Sequence, residues 1–329
     1  QYKKIYTQVK NIFEIPLKEL RQTYQFKMSD NAVFEELVRL TFEIHMLKRD
    51  LRKILEKVQP KLLVEVVYYN KRCMALNELA KEMQIPTVEL QHGTMHAAHA
   101  AYQFAPGSGE IRQFPEYVFL FSEYWKQYAN LPLPEHQIKV TGYPYFESQL
   151  RKYTSNIINK EEKKNIIFIS QETIGQKLGQ LATELNDLLD QTKYHIIYKL
   201  HPGEYSGWKN RYPKLVQKNI EVIDSFEHNV YEYFSKCKIQ VGVYSTAIYE
   251  GLGFGLTTYI YDVGHADTMA ELCDQGYAVC IKNANELFEN ITNAEERHSH
   301  NTKSFWEKNA LENICQEIDQ LLSTTICGV

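Results

Sequence analysis

Two histidines each end an apolar run of residues and stand directly before a residue that turns the chain. His92 follows Ile85–Leu90, which is predicted to be a buried strand, and a glycine comes next. His201 follows the similar run Ile196–Leu200, and a proline comes next. Open α/β sheets bind ligands at the carboxyl ends of their strands, and an imidazole gains and loses a proton near neutral pH. The pattern therefore predicts two imidazoles at a ligand-binding edge.

A hydroxyl pair occupies the same kind of position later in the chain. Ser245 and Thr246 follow the apolar strand Ile239–Val243 and open a predicted helix, Thr246–Phe254. The first turn of a helix has unpaired N–H donors and the positive end of the helix dipole, so hydroxyls there help to bind an anion such as phosphate. Serine and threonine are also ordinary N-caps, so the pair by itself fits a purely structural cap as well.

Together these motifs resemble those of bacterial GT-B transferases that build capsules, teichoic acids and lipopolysaccharide. The resemblance extends over roughly residues 61–290 and is nearest to the capsular polysaccharide transferases and the CDP-glycerol glycerophosphotransferase-like enzymes. It implies a GT-B fold and a nucleotide-activated donor. The motifs that carry it are Gln91-His92-Gly93, Lys199-Leu200-His201-Pro202, and Tyr244-Ser245-Thr246 followed by Glu250-Gly251.

Two departures from the teichoic-acid enzymes favour glycosyl transfer over glycerophosphate transfer. Those enzymes have an aromatic residue before the first His-Gly pair, where this chain has Gln91. They also have Asp-Tyr-Ser-Ser near the third motif, where this chain has Val243-Tyr244-Ser245-Thr246. Other functions considered are a glycerophosphate-type transferase, a sugar-nucleotide 2-epimerase, which usually has Ser-Gly-Gly followed by paired glutamates, and a non-catalytic scaffold that binds nucleotide or polysaccharide.

Glycosyl transfer predicts distinct roles for these side chains. The nucleotide leaving group gains negative charge, which a metal-free site must stabilise with helix N-termini, hydroxyls and basic groups. His92 is the expected general base for the acceptor hydroxyl, with Glu65 in reserve, and His201 acts beside the donor phosphates. Glu250 is expected to reach the ribose, although an exposed helix glutamate fits it equally well. The remaining donor-side candidates are Lys199, Ser245, Thr246 and Gln171, and those on the acceptor side are His96 and His99.

The spacing of His92, His96 and His99 also resembles a zinc-ligand pattern. Gly93 interrupts any helix there, and no cysteine or carboxylate completes a ligand set. We therefore expect no metal and no cofactor, with the nucleotide-activated sugar as substrate.

Length and composition are typical of a protein with two globular domains. The chain has 329 residues, of which 44% are hydrophobic, and a net charge of −4. The sequence contains no apolar run of membrane-spanning length and no visible signal peptide, which predicts a cytoplasmic protein. Because six cysteines form no Cys-x-x-Cys pair, we expect reduced core thiols rather than disulfides. They lie at positions 73, 237, 273, 280, 315 and 327.

The charge is distributed unevenly along the chain. Residues 1–72 have a net charge of +6, whereas the remainder has −10. A long amphipathic helical pattern carries a basic cluster, which is either a solvated face opposite a core stripe or a contact for an anionic membrane or a lipid-linked glycan acceptor. Nucleic-acid binding is not expected, because the chain is acidic and the cluster has no interleaved aromatic residues. The cluster consists of Lys48, Arg49, Arg52 and Lys53.

The order of predicted elements indicates an α/β protein with two Rossmann-like domains of the GT-B type, a cleft between them and a helical N-terminal segment. The predicted domains are 1–146 on the acceptor side and 165–329 on the donor side, joined by a linker at 147–164. Because the sequence opens at Gln1 rather than at a methionine, we expect a longer natural chain and further strands. The ten predicted strands are Leu62–Tyr68, Ile85–Leu90, Tyr117–Phe121, Gln137–Thr141, Asn165–Ile169, His195–Leu200, Ile220–Ile223, Ile239–Val243, Thr257–Tyr261 and Tyr277–Ile281.

Overall fold

A computed structural model describes residues 2–24, 29–154, 164–218, 220–293 and 302–326. The first part of the chain begins with two long helices and continues with four short strands. Its elements are α1 (Tyr2–Tyr24), α2 (Asp30–Val58), β1 (Leu63–Glu65), α3 (Lys71–Glu82), β2 (Thr87–Leu90), β3 (Tyr117–Leu120), α4 (Glu123–Lys126), β4 (Ile138–Val140) and α5 (Pro144–Thr154).

The second part alternates strands and helices. Its elements are β5 (Lys164–Ile169), α6 (Gly175–Leu188), β6 (Tyr194–Lys199), α7 (Trp208–Arg211), α8 (Pro213–Gln217), β7 (Glu221–Ile223), α9 (Val230–Lys236), β8 (Ile239–Gly242), α10 (Thr246–Gly253), β9 (Thr257–Tyr261), α11 (Ala270–Asp274), β10 (Ala278–Ile281), α12 (Ala284–Thr292) and α13 (Ala310–Ile326). Each of the ten predicted strands is present, because each combines an apolar run with flanking turn residues.

The strands form two parallel sheets. The first sheet has the order β1-β2-β3-β4, and the second has the order β10-β9-β8-β5-β6-β7. In the second sheet the chain builds outward from β5 in one direction and then, from β8 onward, in the other. Such a reversal opens a crevice at the carboxyl ends of the two central strands, here β5 and β8.

The C-terminal helix crosses back to the first sheet. Leu321 of α13 is buried with Val88 of β2 and Phe119 of β3. The predicted linker partly coincides with α5, and residues 155–163 lie outside the described residues. The domain boundaries themselves remain predictions.

The cysteine expectation is wrong for one pair. Cys273 and Cys280 form a disulfide, with their Cα atoms 6.1 Å apart. The chain turns sharply between α11 and β10, which brings two cysteines seven residues apart within bonding range. Among the described cysteines, Cys73, Cys237 and Cys315 are not in a disulfide, and only Cys237 is buried. Position 327 lies outside the described residues.

The basic cluster of α2 is partly used for packing within the protein. Lys48 forms ion pairs with Glu78 and Glu82 of α3, at 2.7 and 2.6 Å. Arg52 also pairs with Glu82, at 2.5 Å. Lys48 and Arg52 therefore help to pack α2 against α3, and a contact of the cluster with a membrane or a glycan acceptor stays a prediction. In the described part of the chain, no helix has both the length and the apolar character needed to span a membrane.

Gly142, two residues after β4, lies at the contact between the first sheet and the start of α13. Its φ is +96°, and a Cβ there would lie 2.6 Å from Ala310 Cβ and 2.7 Å from the Glu307 carbonyl oxygen. Gly107 has a φ of +78° but no neighbour within 4 Å, so it isolates the backbone strain. Gly142→Ala should lower the unfolding free energy by about 1–3 kcal/mol more than Gly107→Ala does. Urea unfolding measures both variants, and equal losses would contradict this packing.

Candidate active site

A cavity of about 680 Å³ opens at the carboxyl ends of β5, β6 and β8, next to the reversal of strand order. It is lined from the opposite side by Tyr145, Gln149 and Lys152 of α5. The structure thus brings together four residues that the sequence assigned to the donor side. These are Gln171, Lys199, His201 and Ser245.

A larger cavity of about 1120 Å³ lies at the other end of the first sheet. Pro86, Tyr117 and Gln137, which stand at or before the amino ends of β2, β3 and β4, line it. None of the predicted site residues does. Since ligands of such sheets bind at the carboxyl edge, the smaller cavity is the candidate site.

Lys199 is the cation at the centre of this cavity. Its ammonium group donates to the Leu200 carbonyl at 2.9 Å and to the Tyr205 hydroxyl at 2.5 Å, and it lies 4.8 Å from the Tyr205 ring centre. Burial lowers the pKa of Lys199 to about 8, although Glu204 and Asp224 oppose the shift. The charge of this lysine therefore changes close to neutral pH.

His201 is held by a buried carboxylate. It caps a short 3₁₀ turn. The ring Nδ1 of His201 accepts from the backbone N–H of Gly203 at 3.2 Å, and the backbone N–H of His201 donates to Glu204 Oε2 at 2.7 Å. An accepting Nδ1 assigns the ring proton to Nε2, which can donate to an anion in the cavity. Glu204 is fully buried and also accepts from Ser170 and Tyr212. Sequence reasoning missed Glu204, although its position three residues after His201 is capping-box spacing.

Ser245 and Thr246 differ in position within the first turn of α10. Ser245 is the N-cap, and its Oγ accepts from the Ala247 N–H at 3.2 Å. Thr246 Oγ1 accepts from the Thr94 N–H at 3.2 Å, which is a contact between the two parts of the chain. A Cβ on Gly93 would lie 3.2 Å from the same Oγ1, so glycine allows this close approach. Each hydroxyl keeps its own proton to donate.

The loop after β2 gathers three imidazoles opposite α10. The His92 ring is solvent-exposed, and its Nε2 lies 3.4 Å from the Tyr69 hydroxyl. The rings of His96 and His99 are 5.9 Å apart, and Tyr69 is 5.7 Å from His99. Partial desolvation lowers the pKa of all three histidines, and for His92 and His96 the neighbouring His99 adds to the shift. The loop thus presents neutral imidazoles at neutral pH.

Across the cleft, Asp267 opposes the lowered pKa of His96. Within the described residues, no group of three histidine, cysteine, aspartate or glutamate side chains has the arrangement of a metal site.

Two predicted carboxylates do not line the cavity. Glu250 is 7% exposed and accepts from the Tyr231 hydroxyl at 2.8 Å, and burial raises its pKa to about 7. Glu65 is 8% exposed and accepts from Asn77 of α3 at 2.7 Å. The sequence did not show that these two glutamates are buried. Glu250 lies in a predicted helix and Glu65 in a predicted strand, and neither pattern says what packs against the side chain.

An exposed aromatic ring was also missed. Phe226, in the loop after β7, lines the cavity with 78% of its surface exposed. Its ring packs edge-to-face on Tyr205, at 4.9 Å between centres. The only signal in the sequence is a phenylalanine within a polar run between β7 and α9.

The sequence matches no protein-family model and no curated protein. Solved structures do match it. MnaA from S. aureus with UDP superposes with a TM-score of 0.58 at 14% identity, covering 86% of this chain and 82% of that one. The fold is of the GT-B type.

Two further structures with this GT-B fold match as well. The UDP-GlcNAc 2-epimerase from Methanocaldococcus jannaschii, solved with UDP-GlcNAc and UDP, has a TM-score of 0.57 at 15% identity, covering 91% of this chain and 90% of that one. MurG from Acinetobacter baumannii has a TM-score of 0.57 at 13% identity, covering 85% and 79%. At such identities the likeness establishes the fold, and the chemistry must be argued from the site.

Proposed function

We propose that this protein is a metal-independent glycosyltransferase. It moves a sugar from a nucleotide-activated donor to a hydroxyl of a surface-polysaccharide or lipid-linked glycan acceptor, with His92 as the general base. The observation that carries the proposal is the contact between Thr94 and Thr246, which joins the imidazole loop to the hydroxyl-capped helix beside the cavity.

The cavity has the size and chemistry for a nucleotide-activated sugar. Its volume of about 680 Å³ lies within the range of small-molecule sites. Lys199, His201 and Ser245 offer positive charge and donors to phosphate oxygens, and Phe226 offers an exposed ring on which a base can stack. The structural neighbours solved with UDP or UDP-GlcNAc support this class of ligand.

The transfer step follows from these positions. His92 takes the acceptor proton, the acceptor oxygen forms a bond to the anomeric carbon, and the bond from that carbon to the phosphate oxygen breaks. The electron pair leaves with the nucleotide, where Lys199, His201 and Ser245 stabilise the new charge without a metal. A neutral imidazole is required for the first event, and the lowered pKa of His92 supplies it.

A sugar-nucleotide 2-epimerase is the alternative that two observations favour: the shared fold and the named activity of the M. jannaschii neighbour. The pair Ser245-Thr246 replaces the expected Ser-Gly-Gly turn and argues against it. Incubation with UDP-GlcNAc alone distinguishes the two, because an epimerase needs no acceptor. A glycerophosphate transferase would instead consume CDP-glycerol, and a scaffold would bind donor without consuming it.

We place the proposed membrane contact on α1. Its apolar side chains Ile12 and Ile15 are 64% and 68% exposed, since α2 covers only part of that face. Exposed lysines on the same helix add the charge that attracts anionic lipid. They are Lys3, Lys4, Lys10 and Lys18.

Donor binding is the first test. In thermal-shift screening against CMP, CDP, UDP and GDP, one of these nucleotides should raise the unfolding temperature selectively, because a ligand stabilises the folded state by mass action. Ser245→Ala with Thr246→Ala should weaken that nucleotide by about 1–3 kcal/mol in calorimetry. Thr292→Ala, an exposed hydroxyl on α12, is the matched control. Unchanged affinity in the double variant would contradict the phosphate assignment.

The same calorimetry also tests the contact with the nucleobase and the dependence of donor binding on pH. Phe226→Ala should weaken binding of the nucleotide, because the base loses the ring on which it stacks. It should leave binding of inorganic pyrophosphate, which has no base, unchanged. Since the pKa of Lys199 is about 8, the ammonium is charged below that pH, and affinity should fall as the pH rises through 8. Lys199→Met should remove this dependence.

His92→Ala should lower turnover by about 10²–10⁴-fold and leave donor affinity unchanged. His201→Ala should weaken donor binding as well, whereas His136→Ala, an exposed histidine in a short 3₁₀ turn, should change neither. The acid limb of the wild-type pH profile should lie below the ordinary histidine value of about 6.5 and be absent from His92→Ala. EDTA should have no effect. Near-normal turnover of folded His92→Ala would assign the base elsewhere.

Membrane contact is tested by co-sedimentation with vesicles. The protein should bind vesicles of phosphatidylglycerol but not of phosphatidylcholine, and Ile12→Glu with Ile15→Glu should abolish binding. Val216→Glu, which alters another exposed apolar side chain, on α8, should leave binding intact. Equal binding by all variants would reject α1 as the contact.

A further inference from the structure

Glu89 is a fully buried carboxyl group in β2 that the transfer step above does not use. Its Oε1 accepts from the backbone N–H of Tyr68 at 3.0 Å and from the Tyr102 hydroxyl at 2.7 Å. Tyr68 follows β1, and Tyr102 ends the short 3₁₀ helix after the histidine loop. One oxygen atom of Glu89 therefore ties together two segments that flank this loop.

The other oxygen faces a second buried acid. Glu89 and Glu65 are partners in the register between β2 and β1, so their side chains project from the same face of the sheet. The Oε2 atoms of both glutamates and Oδ1 of Asn77 are buried without a hydrogen-bond partner among the described residues. Two carboxyl groups that are buried side by side favour the state in which at least one of them carries a proton.

Burial raises the pKa of Glu89 to about 7, and it raises that of Glu65 above its ordinary value as well. The other titratable groups near this pair are the phenols of Tyr68, Tyr69 and Tyr102 and the Cys73 thiol of α3, all with raised pKa values. Burial is the main cause of both shifts, and the neighbouring Glu65 adds to that of Glu89. A protonated Glu89 can remain in this environment without a counter-ion.

Aromatic contacts connect Glu89 to the imidazoles. The Tyr102 ring lies 4.8 Å from that of His99 and 6.0 Å from that of Tyr69. Tyr69 in turn lies 6.1 Å from His92, with its hydroxyl 3.4 Å from Nε2. The hydrogen bonds of Glu89 to Tyr68 and Tyr102 thus fix the aromatic rings that contact His92 and His99. These rings are those of Tyr69 and Tyr102.

We propose that Glu89 is a positioning residue for the acceptor-side imidazoles, which sets the place of Tyr69 and thereby the orientation and environment of His92. The proposal rests on the proposed function only where turnover is its readout. Glu89 touches neither substrate nor the reacting atoms. A displacement of a catalytic group by about 1 Å costs turnover on the order of 100-fold, which sets the scale of the expected effect.

The test compares Glu89→Leu with Glu65→Leu. Both variants remove one acid from the same buried pair, but only the first releases Tyr68 and Tyr102. Glu89→Leu should lower kcat by about 10–100-fold with donor affinity unchanged, whereas Glu65→Leu should stay within about 3-fold of wild type. Glu89→Gln should restore activity, because its amide oxygen keeps both acceptor contacts and its NH₂ supplies the missing donor to Glu65. Equal losses in the two leucine variants would reduce Glu89 to a structural role.

A second readout does not depend on turnover. Titration of the His92 ring by NMR should give a pKa below the ordinary value in wild type and in Glu65→Leu, and one nearer the ordinary value in Glu89→Leu, because release of Tyr68 and Tyr102 loosens the packing that partly desolvates the ring. If no donor supports turnover, the proposed function fails, yet this titration still decides the role of Glu89. An unshifted His92 titration in Glu89→Leu would overturn the proposal.

Tyr102→Phe provides the same test if Glu89→Leu does not fold. It removes only the hydroxyl that donates to Glu89 and keeps the ring against His99. It should move kcat and the His92 titration in the same direction by a smaller factor. A wild-type kcat and titration in this variant would contradict the proposal.

Discussion

The hydrogen bond from the Thr94 N–H to the Thr246 hydroxyl is the contact on which the candidate site depends. It joins the loop after β2 to the first turn of α10, so the carboxyl edges of two separate sheets face one another. The two parts also share one hydrophobic core, in which Trp125 packs on Tyr249 and Phe146 on Tyr231, so this hydrogen bond fixes the loop locally. Gly93 makes it geometrically possible, since any larger residue would crowd Thr246.

Buried carboxyl groups support both sides of this contact by the same physical means. Glu204 accepts three hydrogen bonds and fixes the turn of His201, and Glu89 accepts two and fixes the segments beside His92. A buried polar group is costly unless it is paired, so each acid restricts its neighbours to one arrangement. The two acids differ in their hydrogen bonding. Both oxygens of Glu204 accept hydrogen bonds, whereas Oε2 of Glu89 has no hydrogen-bond partner among the described residues.

The GT-B fold alone does not select a reaction. Structures with this fold include an epimerase and MurG, at identities too low to carry chemistry from one protein to another. This chain has imidazoles in the loop after β2, and a lysine, a histidine and hydroxyls at the carboxyl edge of the second sheet. That asymmetry is the physical basis for preferring transfer to an acceptor hydroxyl.

The sequence by itself determined the strands, the parallel α/β class and the placement of His92, His201 and Ser245 at strand ends. Those features are local, because apolar runs, caps and turn residues act over a few positions. The fold class and all ten strands are confirmed, and four donor-side candidates line one cavity.

Tertiary structure alone decided which side chains meet. The pairing of Lys48 with Glu78, the disulfide of Cys273 and Cys280, and the burial of Glu250 and Glu65 each depend on how distant elements pack. The burial of Glu89 beside Tyr102 likewise required a neighbouring strand and a loop folded over it. Hydrophobic periodicity locates a strand but does not say what lies against it, because that is set by contacts between residues far apart in the chain.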